Sequence, residues 1–151
     1  MLGWLTKFWI PIGKRVIIIG GTLAACEVAE FLVKRGRKVT IVDSSEEIGQ
    51  DMIHERKIRL FWWLRKKGVA MLTQVKYERI TDKGLSIIHQ NGQKETLEAD
   101  SIVPTVPSIP NLDLFNSLNG KVPEIYVAGD CREPGQIPEA VAAGWKIARE
   151  I

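Results

Sequence analysis

The sequence is poor in the residues on which metal and disulfide chemistry depend. Among 151 residues it has two cysteines, Cys26 and Cys131, and two histidines, His54 and His89. The cysteines are far apart and form no C-x-x-C pair, and each histidine stands alone. Neither a disulfide framework, a dithiol redox centre nor a His/Cys metal site is expected. The same scarcity, with the want of a basic, cleavable leader, predicts a reducing, cytoplasmic setting. Long apolar runs are missing too. The N-terminal "MLGWLTKFWIPIG" is interrupted by Lys7 and Pro11, well short of the ~20 apolar residues that a membrane span takes. Its rings, Trp4, Phe8 and Trp9, are expected to bury against the domain or a partner surface. No internal repeat occurs.

A strong charge of one sign is also lacking, since the net charge is +3. The apolar and charged fractions, 45% and 26%, are those of a folded globular chain long enough for one sizeable core. Much of the positive excess lies in one run, "RKIRLFWWLRKK", Arg56 to Lys67. Bases beside Trp62 and Trp63 suit nucleic acid or a membrane surface. The helical spacing favours a plainer reading, in which Ile53, Leu60, Phe61 and Leu64 form a buried stripe and the Lys and Arg side chains its solvated face. No nucleic-acid partner is expected.

What is present is an alternation of strands and helices. "RVIIIG" is a short β-branched run of the kind buried on both faces of a parallel sheet, and it ends at a glycine pair. Ala25, Val28, Ala29 and Leu32 then recur at helical spacing, with Gly36 as the stop. "KVTIVD" is a second buried strand, completing a βαβ unit. A helix from about Asp51 to Lys67 and a third parallel strand, "VAMLT", follow. The period then changes to two: "QVKYERI", "GLSIIHQ" and "QKETLEA" predict a three-stranded antiparallel meander, with Asn91-Gly92 at one hairpin. "DSIVPT" returns to a buried strand carrying Pro104 near its end. After a Pro-rich passage come a last strand, "IYVAGD", and a helix from about Ile137 to Ile151. The fold class is α/β, a Rossmann-like doubly wound parallel sheet with an antiparallel meander. The expected divisions are an apolar segment 1–13, a nucleotide-binding domain 14–106, and a linker, strand and helix over 107–151.

A glycine turn between strand and helix offers backbone N–H groups and the positive end of the helix dipole to a pyrophosphate. In G-x-G-x-x-G/A the first glycine makes the turn, the second admits the phosphate and the third position lets helix and strand approach. Gly20 and Ala25 fill the first and third roles, whereas Thr22 replaces the second. Two readings of Thr22 are open: its hydroxyl caps the helix or bonds a phosphate oxygen, or its side chain crowds the site. Asp43, 23 residues after Gly20 at the end of the second strand, is placed to accept from adenosine ribose hydroxyls and to select NAD(H) over NADP(H). The alternative is that Asp43 only starts the turn at Ser44 and Ser45.

With these residues in view, the chain resembles the NAD(H)-binding portion of two-dinucleotide flavoproteins. The resemblance is specifically to the C-terminal region of the 2,4-dienoyl-CoA reductase, 2-enoate reductase and NADH oxidase group, which is pyridine nucleotide-disulfide oxidoreductase-like. The resemblance runs from about Gly13 to the end and rests on "GKRVIIIGGTLAACEVAEFLVKRGRKVTIVDSSEEIGQDM", "LEADSIVPTVPSIPN" and "EIYVAGDCREPGQIPEAVAAGWKIAREI". It implies that Gly20, Gly21, Thr22 and Leu23 surround the NADH pyrophosphate, that Glu27 lies near the nicotinamide, and that Asp43, with Ser44, holds the adenosine ribose. It implies too that Gly129 and Asp130 belong to the motif holding the ribityl chain of FAD. Where the family closes the nucleotide site with a small turn, this chain has Thr105, Val106 and Pro107, and Val106 is expected to narrow the pocket. The family's upstream FAD loop, iron-sulfur cysteines and barrel have no counterpart here, so a fragment, a subunit or a free-standing remnant is expected.

The leading expectation is therefore an NAD(H)-binding part of a flavin-dependent oxidoreductase, which positions NADH for hydride transfer to FAD on another domain or subunit, with homo-oligomer formation open. The alternative is a non-catalytic interaction subunit with a degenerate site. The strand "IYVAGD" is expected to pair beside "SIVPT" in a single doubly wound domain whose last helix covers one face, and a third reading of function has that merged sheet hold FAD or AMP itself.

Overall fold

The computed structural model describes residue 6 and residues 10–105 and 108–151. Trp4, Phe8, Trp9 and Val106, and the roles expected of them, lie outside the described residues. The chain divides into two compact units, 1–106 and 107–151.

In the first unit, β1 (Arg15–Ile19) lies between β2 (Lys38–Val42) and β7 (Ser101–Pro104), with β3 (Ala70–Leu72) beyond β2. All three pairings are parallel; Ile17 faces Thr40 on one side and Ile102 on the other. Pro104 is tolerated because β7 is an edge of this sheet and Pro104 its last residue. The continuous apolar run of β1 is explained by cover on both faces. Val16 and Ile18 pack with Val39 and Ile41 under α1 (Leu23–Val33) and α2 (His54–Lys66), through Ala25, Cys26, Ala29, Leu32, Leu60 and Leu64. Ile17 and Val42 point the other way, against Val75, Leu85 and Ile87. Leu85 and Ile87 belong to the antiparallel sheet of β4 (Lys76–Thr81), β5 (Gly84–Ile88) and β6 (Lys94–Glu98), which has the expected meander order. The doubly wound sheet and the meander are thus two layers over one strand, with the helices as the third.

α2 departs from its expected stripe. Leu60 and Leu64 are buried and Phe61 is half-buried, but Ile53 precedes the first helical turn as its N-cap and is exposed. Ile58 and Trp62 also face solvent.

The second unit contains α3 (Asp113–Leu118), a 3-10 turn at Gly129–Cys131 and α4 (Ile137–Ala148). The expected strand "IYVAGD" is not formed: residues 124–128 belong to no strand, and the parallel sheet ends at β7. A β-propensive run becomes a strand only where a ladder partner satisfies its backbone, and the described residues of this unit contain no other strand. The merged single sheet is corrected accordingly. None of the described residues after 107 is buried. Ile137, Val141 and Trp145, spaced one turn apart, are all exposed.

A charged clamp joins the starts of β1 and β7. The Arg15 main-chain N–H donates to Asp100 Oδ2 at 2.8 Å, and its guanidinium donates to Asp100 Oδ1 through Nε at 3.0 Å and Nη2 at 2.7 Å. The hydrogen bond from Arg15 holds the Asp100 carboxyl below its ordinary range. A carboxyl depressed in the folded state stabilises fully above its unfolded pKa of about 4 and loses that contribution as the pH falls through its folded value. Asp100→Asn is therefore expected to lower the urea midpoint at pH 7, and the gap to the native chain should narrow as the pH falls below about 4. A gap constant from pH 7 to pH 3 would show that the carboxylate's charge is not what acts.

Candidate functional site

β1, β2 and β7 run parallel and end side by side, and the strand order reverses between β1 and β7. A crevice at the carboxyl ends of the strands opens at such a reversal. The turn leaving β1 is held tightly there. Gly20 donates to Val42 O at 2.9 Å and has φ +112°, and a Cβ on it would stand 2.8 Å from Thr105 O. Thr105 in turn donates to Ile19 O through its main-chain N–H at 2.8 Å and its hydroxyl at 3.0 Å. Only glycine meets both conditions at position 20.

Gly21 is the second constrained position. A Cβ there would lie 2.9 Å from Asp43 Cγ and 3.0 Å from Asp43 Oδ2. The carboxylate at the end of β2 thus lies over the backbone of the turn that follows β1. Asp43 also accepts the Ser45 N–H on Oδ1 at 2.6 Å, so the local turn and the approach to the loop coexist, one oxygen for each. Ser44 beside it is exposed.

Thr22 needs no glycine. It is the N-cap of α1 with φ −76° and ψ 173°, extended backbone open to any residue, and its hydroxyl makes no capping bond. The expected cap is replaced from elsewhere: the Leu23 N–H donates to the Asp51 carboxylate, at 2.8 Å to Oδ1 and 3.0 Å to Oδ2. An anion at the N-terminus of a helix is what the exposed N–H groups and the dipole favour. Glu27, one turn further on, is exposed and ion-paired with Arg56 of α2.

The meander and the loop that enters it add two residues that sequence reasoning missed. The Tyr77 hydroxyl, on β4, donates to Val42 O at 3.2 Å, and burial, followed by the charge of Asp43, pushes its pKa up. Gln74 has φ 57° and donates its N–H to Ser45 O at 2.8 Å. With Ser44 and Gln90 these two line an open cavity of about 540 Å³ beside Asp43. Nothing in the alternation of "QVKYERI" singles out Tyr77, and Asp51 lies in a loop without periodicity.

The first unit therefore brings together Gly20, Gly21, Thr22, Leu23, Asp43 and Ser44, with Glu27 a turn along α1. Gly129 and Asp130 lie in the second unit, where Gly129 has φ +73° and Asp130 Oδ1 accepts the Gly135 N–H at 3.3 Å. Among the described residues no cluster of His, Cys, Asp or Glu suits a metal, and no helix is long and apolar enough to cross a membrane.

A parallel sheet with a glycine turn, a helix N-terminus and a carboxylate at its switch point is a Rossmann-like arrangement. Residues 4–144 match the family of pyridine nucleotide-disulphide oxidoreductases, and the chain belongs to that family. It is 29% identical to an NADH oxidase of Thermoanaerobacter brockii over 91% of this chain and 21% of that protein. It is 34% identical to a bilirubin reductase of Mediterraneibacter gnavus over 94% of this chain and 22% of that one. Among solved structures, a 2-naphthoyl-CoA reductase superposes with a TM-score of 0.87 at 26% identity, covering 99% of this chain and 23% of that chain. The chain thus spans about a fifth of the length of these relatives. The family uses FAD and NAD(H) in flavin-dependent oxidoreductases.

The two cysteines are both free. Cys26 is fully buried in the core under α1, and burial, then the charge of Asp51, pushes its thiol up to about 11; Cys131 is exposed. Since thiolate is the reactive form, titration of the native chain with an aromatic disulfide at pH 8 is expected to release one equivalent promptly and a second only in denaturant. Two prompt equivalents would contradict the burial of Cys26.

Proposed function

We propose that the chain is the NAD(H)-binding part of a flavin-dependent oxidoreductase and positions NADH for hydride transfer to FAD carried by another domain or subunit. The observation that carries this reading is the approach of the Asp43 carboxylate to Gly21, which joins a ribose acceptor to a pyrophosphate turn at one end of the sheet. The residues fit a dinucleotide: Gly20 and Gly21 hold the turn tightly against Thr105 and Asp43 at the start of α1, and Asp43 repels a 2′-phosphate. Gly20, Gly21, Thr22 and Leu23 face the pyrophosphate, Asp43 and Ser44 the adenosine ribose, and Glu27 the nicotinamide end. NADH, when bound, supplies the hydride; this chain's side chains bind and orient. In this reading residues 14–106 are the nucleotide-binding domain, and 107–151 complete an FAD domain whose other half brings the flavin, with Gly129 and Asp130 toward it. The lack of buried residues after 107 supports that division, because such a segment acquires a core only from outside itself.

A second reading, an interaction subunit with a degenerate site, rests on one observation. The Leu23 N–H that would meet a phosphate is already bonded to the Asp51 carboxylate, and two anions compete for it.

Calorimetric titration separates the two. The native chain is expected to bind NADH in preference to NADPH. Asp43→Asn is expected to weaken NADH roughly tenfold or more, the worth of hydrogen bonds to a charged acceptor. Binding only by Thr22→Gly or Asp51→Asn would establish the degenerate site. The absence of heat from the native chain and all three variants would contradict a nucleotide-binding role.

A further inference from the structure

Six of the 21 basic residues and one of the 18 acidic ones lie between His54 and Lys67, so this stretch holds more positive charge than the whole chain's net of +3. The structure also shows where its apolar residues go. Leu60 and Leu64 face the core. Trp62 stands two positions from each, about 200° round the helix, and is 63% exposed; Ile58, one turn before it, is 56% exposed. α2 therefore has a second apolar ridge, opposite its buried stripe. Arg65 flanks the ridge on one side, Arg59 and Lys66 on the other, and the Lys66 ammonium lies 4.9 Å from the centre of the Trp62 ring. The other bases of the helix are differently engaged: Arg56 pairs with Glu27, and Lys57 with Glu47. Arg59 and Arg65 form no ion pair among the described residues.

We propose that this outer face of α2 docks on an anionic lipid surface, with Trp62 and Ile58 entering the headgroup region and Arg59, Arg65 and Lys66 meeting the lipid phosphates. An apolar ridge rimmed by bases is complementary to a surface that is negative outside and apolar beneath. Tryptophan also favours the boundary between headgroups and acyl chains. The shape selects a bilayer over a protein partner. Ile58 and Trp62 form the common wall of two open grooves of about 990 and 610 Å³. A protein partner has to fill both grooves to bury the ridge, whereas a fluid interface closes around it. The proposal is independent of nucleotide binding, since the dinucleotide site lies at the strand ends.

The test is co-sedimentation of the purified chain with vesicles of equal parts phosphatidylglycerol and phosphatidylcholine, beside vesicles of phosphatidylcholine alone, in 50 mM and 500 mM salt. The native chain is expected to pellet with the anionic vesicles at low salt, to be released at high salt, and to ignore the neutral ones. Arg59→Ala/Lys66→Ala is expected to lower partitioning roughly 25-fold, about fivefold for each base near the surface. Ile58→Ser/Trp62→Ser is expected to lower it at least tenfold. All four positions are exposed, and unchanged melting of both variants checks that the fold persists. Equal pelleting with both vesicle types, or anionic binding that survives either double substitution, overturns the proposal. So does a native chain that stays in the supernatant; if it then dimerises and Ile58→Ser/Trp62→Ser abolishes the dimer, the ridge belongs to a second copy.

Discussion

β1 has both edges hydrogen-bonded, to β2 and to β7, and both faces covered, Val16 and Ile18 by the helices and Ile17 by the meander. Each layer of the first unit is placed by what it buries against these five residues. Where β1 ends, the chain has to leave the sheet between two neighbours already bonded to it, and the turn is fixed by that crowding. Gly20 donates to the end of β2 and lies against Thr105 just past the end of β7. The geometry of the candidate site is thus a consequence of core packing rather than of a loop that folds by itself.

The electrostatics of the site follow from the same placement. α1 begins within two residues of the turn, so its positive end points into the crevice. Two carboxylates respond to it. Asp43 comes from the end of β2 and straddles the Ser45 N–H and the backbone at Gly21; Asp51 comes from the loop before α2 and takes the Leu23 N–H. In the proposed reading a ribose takes the first of these groups and a pyrophosphate competes with the second. The balance between them decides whether the site is open to a dinucleotide.

Much of the first unit was legible in the sequence because its periodicities are strong and locally consistent. The β-branched run of β1, the apolar stripe of α1, and the alternation of β4 to β6 each point to one element, and the structure has them. The last strand was not legible because strand formation is a property of a pair. "IYVAGD" has the composition, but no ladder partner stands among the described residues of its unit. For α2 the misreading lay in the geometry of the helix start. Ile53 fits the stripe only if the helix already runs through it, and it is instead the extended residue before the first turn. In the site, Gly20 and Asp43 were marked by the motif, whereas the constraint on Gly21 comes from a carboxylate 22 residues away, which no local pattern encodes. Thr22, the visible departure from the motif, sits in backbone any residue can adopt.

The central claim is that the carboxyl ends of β1, β2 and β7 form a dinucleotide site, and site-resolved amide hydrogen exchange with and without saturating NADH tests it directly. The account predicts slowed exchange confined to residues 20–24 and 43–45, where the turn, the start of α1 and the end of β2 meet. Protection elsewhere with these two segments unchanged, or no protection at saturation, would contradict it.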